Sequence, residues 1–170
     1  MAGRIATRSD CAQCAALCCI AYPSEDMPGF AAHKQAGEPC PNLDACGACT
    51  IYEDRARLGF AGCIAFECFG AGQFVTQTVF GGRDWRTDPS AMPAMVDTFL
   101  RLRPAFDLLY LAETFSGGDP ACESEMIRQS LEDALLSPDP HSAERLLHDA
   151  KARLRALYAA RRESQAAETG

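Results

Sequence analysis

No apolar run in the 170 residues approaches the roughly 20 needed to cross a bilayer, so no membrane-spanning helix is expected. The opening residues, "MAGRIATRSD", lack the apolar stretch of a secretory signal. The expected compartment is therefore cytoplasmic, where thiols stay reduced. Positive charge is in deficit: the formal net charge of −7 argues against nucleic acid or an anionic membrane as partner. Histidine is scarce, with three in the chain. His33 falls in a turn-rich stretch and reads as a solvated loop residue, while His141 and His148 read as surface positions near the last helix. The Gly-rich "FGAGQ" lacks the G-K-[ST] ending of a phosphate loop and reads as a tight turn that lets the backbone approach a neighbouring element. No cofactor-binding loop and no Ser/His/Asp arrangement stands out, so no catalytic residue is assigned. No repeat of 20–50 residues is visible.

Cysteine is what the chain has in excess. Nine of its ten cysteines lie between Cys11 and Cys68, and only Cys122 lies beyond. A disulfide scaffold would require export. A thioredoxin-type C-x-x-C expects a βαβ context, which is not visible. Core-filling cysteines would be scattered over the later helices as well. Clustered thiols in a reducing compartment point instead to metal, because thiolate is a soft ligand that suits zinc and iron–sulfur clusters. A tetrahedral zinc takes four ligands at about 2.0–2.3 Å, usually as close pairs from separate segments. The chain offers Cys11/Cys14, Cys46/Cys49 and Cys63/Cys68 as pairs, with Cys40 and the doublet Cys18–Cys19 besides. If the first segment were helical, Cys11, Cys14 and Cys18 would share a face and Cys19 would point about 100° from Cys18. The doublet is then expected to bridge two sites, or to ligate through one sulfur while the other packs. One centre with structural cysteines and two centres both fit nine thiols.

The chain changes character near residue 85. Residues 10–86 are rich in Cys, Gly and Pro; residues 87–163 read as helices. "SDCAQCAALCCIAY" suggests a short helix capped by Ser9 or Asp10 and ended by Pro23. "TIYEDRARLG" suggests another, closed by Gly59. "AGQFVTQTVFGG" fits a strand or a helix, and helix is preferred. Further on, "DPSAMPAMVDTFLRL" suggests a helix capped near Ser90 that Pro104 breaks or kinks. The stretch after it, "SGGDP", reads as a loop. Ile127, Leu131, Ala134 and Leu135 share one helical face, and Leu147, Ala150, Leu154 and Leu157 another. From Asp107 to Asp139 acids predominate and from His141 to Arg162 bases do, which favours packing of these neighbouring helices on each other. The fold class expected is mostly α, an irregular Cys-rich metal-binding N-terminal part followed by a small helical bundle. Residues 1–9 and 164–170 are expected to be flexible termini.

"CAQCAALCC" followed by "CTIYEDR" resembles a bacterial zinc- or iron-chelating family marked by C-x-x-C-x(3–4)-C-C and a later C-x-I-Y-E-x-R-P. A stronger resemblance is to the cysteine-rich N-terminal segment of certain bacterial pentapeptide-repeat proteins. It is carried by "AGEPCPNL", "CTIYEDRARLGFAGC", "ECFGAGQFVTQTVFGG" and "DWR", over about residues 11–86. The likeness implies Cys11, Cys14, Cys18, Cys19, Cys40, Cys49, Cys63 and Cys68 as metal ligands and leaves out Cys46 and Cys122. No A-[DN]-L-x-x repeats follow residue 86, so no function of a pentapeptide solenoid carries over. The expected function is a cytosolic metal-binding protein whose cofactor is zinc or an iron–sulfur cluster, its C-terminal helices serving for packing or docking of a protein partner. The rival class is an iron–sulfur-dependent enzyme or a redox or sensor protein.

Overall fold

The structure, a computed structural model, describes residues 4–25, 27–116, 122–137 and 139–169. The "SGGDP" loop expected after the long helix lies almost wholly outside them. The fold is mostly α, with an irregular cysteine-rich part followed by helices. The helices are α1 (Cys18–Ala21), α2 (Ala61–Ala65), α3 (Ala71–Phe74), α4 (Met92–Ser116), α5 (Glu123–Leu136) and α6 (Pro140–Thr169). Among the described residues the extended pairing is a single antiparallel bridge, Leu43 with Cys49. The chain divides into two compact units, residues 8–103 and residues 1–7 with 104–170. No described helix is long and apolar enough to cross a membrane.

In the first unit the backbone departs from the simplest reading of its sequence. The first cysteine segment is not one helix. Cys11–Gln13 form a single 3-10 turn, capped by Asp10, whose carboxylate accepts from the Ala12 amide at 3.0 Å. The chain then leaves the helical region, with Ala16 at φ 54°, before α1 begins. A left-handed alanine costs on the order of 1 kcal/mol, and it re-aims Cys18 and Cys19 relative to Cys11 and Cys14. "TIYEDRARLG" forms a run of turns instead of a helix, ended by Gly59 at φ 84°. "AGQFVTQTV" is helical: α3 runs directly into a π turn over Val75–Val79. Leu17, Ile20, Ala71, Val75, Met95 and Phe99 are fully buried, and the rings of Tyr22 and Phe99 meet edge-on at 6.1 Å.

Pro104 does not end α4, which continues through it to Ser116. The ring removes one amide donor from the helix. Ser90 does not cap α4; its hydroxyl donates to Asp88, and a 3-10 turn over Pro89–Ala91 leads into the helix. In the second unit α5 packs on α6. Ile127, Leu131, Ala134 and Leu135 are buried on one side, with Ala150 and Leu154 on the other; Leu147 and Leu157 are half-buried. Arg153 reaches Glu123 at 3.4 Å across this helix pair. Arg128 and Glu132 are buried as well, Arg128 pairing with both Glu125 (2.7 Å) and Glu132. Glu132 also accepts from the Ile5 amide at 2.7 Å, which ties the start of the chain to this unit.

Candidate metal centre

The eight thiols implied by the resemblance all lie in the first unit, and all ten cysteines of the chain are free. Two sets of hydrogen bonds bring their segments together. The first stitches the Cys11–Cys14 segment to the Cys68 segment. Ser9 Oγ lies 2.9 Å from Cys68 Sγ and also bonds to Glu67. The Asp10 amide donates to Gln73, and Gln73 Nε2 donates back to the Arg8 carbonyl at 3.1 Å. The Ala15 amide donates to Thr76 Oγ1 at 3.0 Å. The second set joins the doublet to the later cysteines. The Cys40 amide donates to the Cys19 carbonyl at 3.0 Å, and the Leu43 amide to the Cys40 carbonyl at 3.1 Å. The Leu43–Cys49 bridge then lays Cys49 alongside that turn.

"CFGAGQ" places backbone against sulfur. Phe69 at φ 50° and Gly70 at φ 89° make the turn that starts α3. A Cβ on Gly72 would stand 2.6 Å from Cys14 Sγ, so the helix backbone approaches that thiol as only glycine allows. The "DWR" triplet supplies two further braces. Trp85 Nε1 donates to the Ala15 carbonyl at 2.7 Å, beside the first cysteine segment. The Arg86 guanidinium, paired with Asp84, fills the space where Gly47 in the Cys46–Cys49 loop would carry a Cβ. These braces were not assigned from the sequence; the fixed order of "CFGAGQ" and "DWR" after the cysteines was the available signal.

The electrostatics follow from this crowding. Burial pushes Cys14 up to about 11, and the charges of Cys68 and Cys11 add to the rise. Burial likewise raises Cys11, with Cys68 and Cys19 contributing, and raises Cys40, with Cys19 and Cys49 contributing. Cys63 is raised by burial and by the charges of Cys19, Cys40 and Cys49. In the doublet the sulfurs lie 3.9 Å apart. Cys18 keeps its proton and is held well above its ordinary value by its hydrogen bond to Cys19. That bond brings Cys19 down to about 7 against the cost of its burial, with help from Lys34 and Arg55. Lys34 is a buried cation whose ammonium donates to the Ile20 carbonyl at 3.1 Å and to that of Tyr22, so it sits at the end of α1. Arg55, from "IYEDR", stacks over Tyr52 at 3.7 Å.

Cys46 is exposed, and its amide donates to Asp44 at 2.8 Å. Cys122 lies in the other unit, its sulfur 3.0 Å from Ser124 Oγ. His33, His141 and His148 are exposed, and the last two line a surface cleft with Glu144 and Arg145. The side chains as oriented do not form a finished ligand shell: among the described residues no three or more His, Cys, Asp or Glu groups are gathered closely enough to hold a metal ion. The donor chemistry nonetheless suits a soft cation, being sulfur from several segments, half-buried at each of the eight positions but Cys11, which is exposed. The 3.9 Å within the doublet is near the roughly 3.8 Å edge of a tetrahedron of sulfurs about 2.3 Å from zinc.

No family model matches the chain, and no solved structure matches it. The chain is 42% identical over 109 residues to YybG of Bacillus subtilis (strain 168), a protein described as uncharacterized. That match covers 64% of this chain and 39% of the relative, so the chain spans well under half the relative's length.

Proposed function

We propose that this is a metal-binding protein of a reducing, cytoplasmic compartment, with zinc or an iron–sulfur cluster held by Cys11, Cys14, Cys18, Cys19, Cys40, Cys49, Cys63 and Cys68. The observation that supports the reading is that all eight thiols lie in one unit, where the Ser9–Cys68 contact, the Gln73–Arg8 and Thr76–Ala15 bonds, the Cys40–Cys19 bond and the Leu43–Cys49 bridge draw several of their segments together. Lys34 and Arg55 favour the thiolate of Cys19, which a cysteine used only as a small apolar side chain would not need. A bound cation offsets the repulsion among thiolates, and each ligand thiol gives its proton to solvent as the metal binds. Zinc would supply a structural tie between segments; an iron–sulfur cluster would supply electron transfer or sensing. The protein's own part is the same for either: the Ser9, Gln73, Thr76 and Trp85 hydrogen bonds hold the sulfur-bearing segments in register. The α4–α6 helices serve for packing or for docking of a protein partner.

The test is anaerobic purification followed by metal analysis and a visible spectrum of one sample. Colourless protein with zinc supports the structural form, and brown protein with iron and acid-labile sulfide supports the cluster form. Folded protein without metal overturns the proposal. Cys122→Ser should leave metal content unchanged, because its sulfur lies outside the thiol-bearing unit.

A further inference from the structure

We infer that the Cys18–Cys19 doublet is a two-thiol site for a trivalent arsenical carrying one organic group, with both sulfurs bonded to the same arsenic atom. The inference stands apart from the metal-binding reading, because it needs two thiols and no wider ligand shell. Among the described residues Cys18 and Cys19 are the thiols whose sulfurs come into contact, at 3.9 Å. Both are half-buried, so a small molecule reaches them while solvent covers them only in part. The backbone beneath them is tied on several sides. The Cys19 amide donates to the Ala16 carbonyl at 3.0 Å, and the Cys19 carbonyl accepts from the Cys40 amide at 3.0 Å. One residue on, the Ile20 carbonyl accepts from the Gly37 amide at 2.9 Å and from Lys34 Nζ at 3.1 Å.

The separation of the sulfurs decides what can join them. A disulfide bond is about 2.05 Å long, so forming one would draw the sulfurs about 1.9 Å closer. Consecutive Cα atoms are about 3.8 Å apart, below the roughly 4.4–6.8 Å that disulfides usually span. The tied peptide between the two residues leaves little room to adjust. A single soft atom fits better. Bonded at about 2.3 Å to each sulfur, the length of a zinc–thiolate bond, it spans the 3.9 Å gap with an angle of about 116° between the two bonds. A linear two-coordinate ion would need about 4.6 Å between the sulfurs. The bridging atom is therefore a bent one. A pyramidal trivalent centre asks for a somewhat smaller angle, which the two side chains reach by rotation alone. Among the described residues no third His, Cys, Asp or Glu group is gathered closely enough to complete an ion's shell. The atom that suits the pair thus brings its own third ligand, and in an organic arsenical that ligand is carbon.

The step is an exchange without oxidation. An organoarsenous acid, R–As(OH)2, gives up its two hydroxyls: two arsenic–oxygen bonds break and two arsenic–sulfur bonds form. The two thiol protons leave with the hydroxyls as two waters, and arsenic stays trivalent. Once the first sulfur is bonded, the second is already in place, so the ring closes at high effective concentration.

The test uses the full chain, freshly reduced and freed of metal with a chelator, and phenylarsine oxide as the probe. One equivalent should give a one-to-one adduct in the mass spectrum of the intact protein. Alkylation and digestion should then find Cys18 and Cys19 protected and the other eight cysteines modified. Cys18→Ser and Cys19→Ser should each weaken capture by about 100-fold or more, the scale of what linkage of two contacts contributes. Cys46→Ser, at an exposed thiol outside the pair, should leave capture unchanged. Protection of any other pair by the first equivalent overturns the inference, and so does absence of a one-to-one adduct. Both results are read on the wild type and need no variant to fold. Metal analysis of the untreated protein reports on the metal-binding reading alone, so failure of one is distinguished from failure of the other.

Discussion

Gly72→Ala probes the contact between α3 and the first cysteine segment most directly. The added methyl would stand 2.6 Å from Cys14 Sγ, whereas ordinary contact begins near 3.4 Å. The sulfur, or the helix, must therefore give way, by about 0.8 Å if ordinary contact is to be restored, the difference between those two distances. Relief is restricted, because Gly72 is buried and the same methyl meets the Phe99 ring at 3.9 Å. Overpacking of this kind costs about 1–3 kcal/mol, partly offset by the roughly 1 kcal/mol that alanine gains over glycine in a helix. The metal-free variant should thus lose between about 0 and 2 kcal/mol in urea unfolding. The effect on metal should be larger, since metal–ligand distances tolerate only about ±0.2 Å. Affinity, read by competition with a chromophoric chelator, should fall by at least about 10- to 100-fold, the range seen when even indirect supports of a ligand are removed. Unchanged metal affinity, with the thiol equally reactive toward a maleimide, would show that Cys14 does not ligate from this position.

The other predictions concern braces and protons. Trp85→Phe removes the 2.7 Å bond to the buried Ala15 carbonyl and should cost about 1–3 kcal/mol in denaturant unfolding followed by far-ultraviolet circular dichroism; a change below a few tenths would mean that water replaces the indole. For the metal-free chain, Cys14 ionises near 9.0 when unfolded but near 11 when folded. Its folded environment therefore contributes stability that is fully present below pH 9 and is lost as pH rises through 11, so thermal midpoints should fall over that window. With metal bound, the same window should be flatter, and binding at neutral pH should acidify a weakly buffered solution. Arg128→Met breaks a buried charge network and should cost about 3–5 kcal/mol. Glu125 is the reverse case to Cys14. Its hydrogen bond to Arg128 holds it below 4.5, so its contribution is present above that pH and fades as pH falls through the depressed value. Glu125→Gln should flatten the acid limb of the stability profile.

The amphipathic faces of α5 and α6 were legible from spacing alone, because a 3.6-residue period needs no knowledge of the partner surface: Ile127, Leu131, Ala150 and Leu154 are buried as that pattern requires. Burial of Arg128 and Glu132 was not legible, since only the packed structure shows that each is covered while holding the other. Charge composition, the count of cysteines and their confinement to residues 11–68 were likewise sequence properties, and they suffice to raise the question of metal. What the sequence could not determine was the path of the backbone between the cysteines. Helical geometry from Cys11 to Cys19 was the economical expectation, but Ala16 adopts a left-handed conformation, and local propensity gives no warning of it. "TIYEDRARLG" has helix formers and still folds as turns, because its neighbours in space set its course more strongly than its own residues do. Contacts such as Gly72 on Cys14, Trp85 on Ala15 and Cys40 on Cys19 join positions 21 to 70 residues apart. Which thiols become neighbours is decided by those long-range hydrogen bonds, and so only by the tertiary structure.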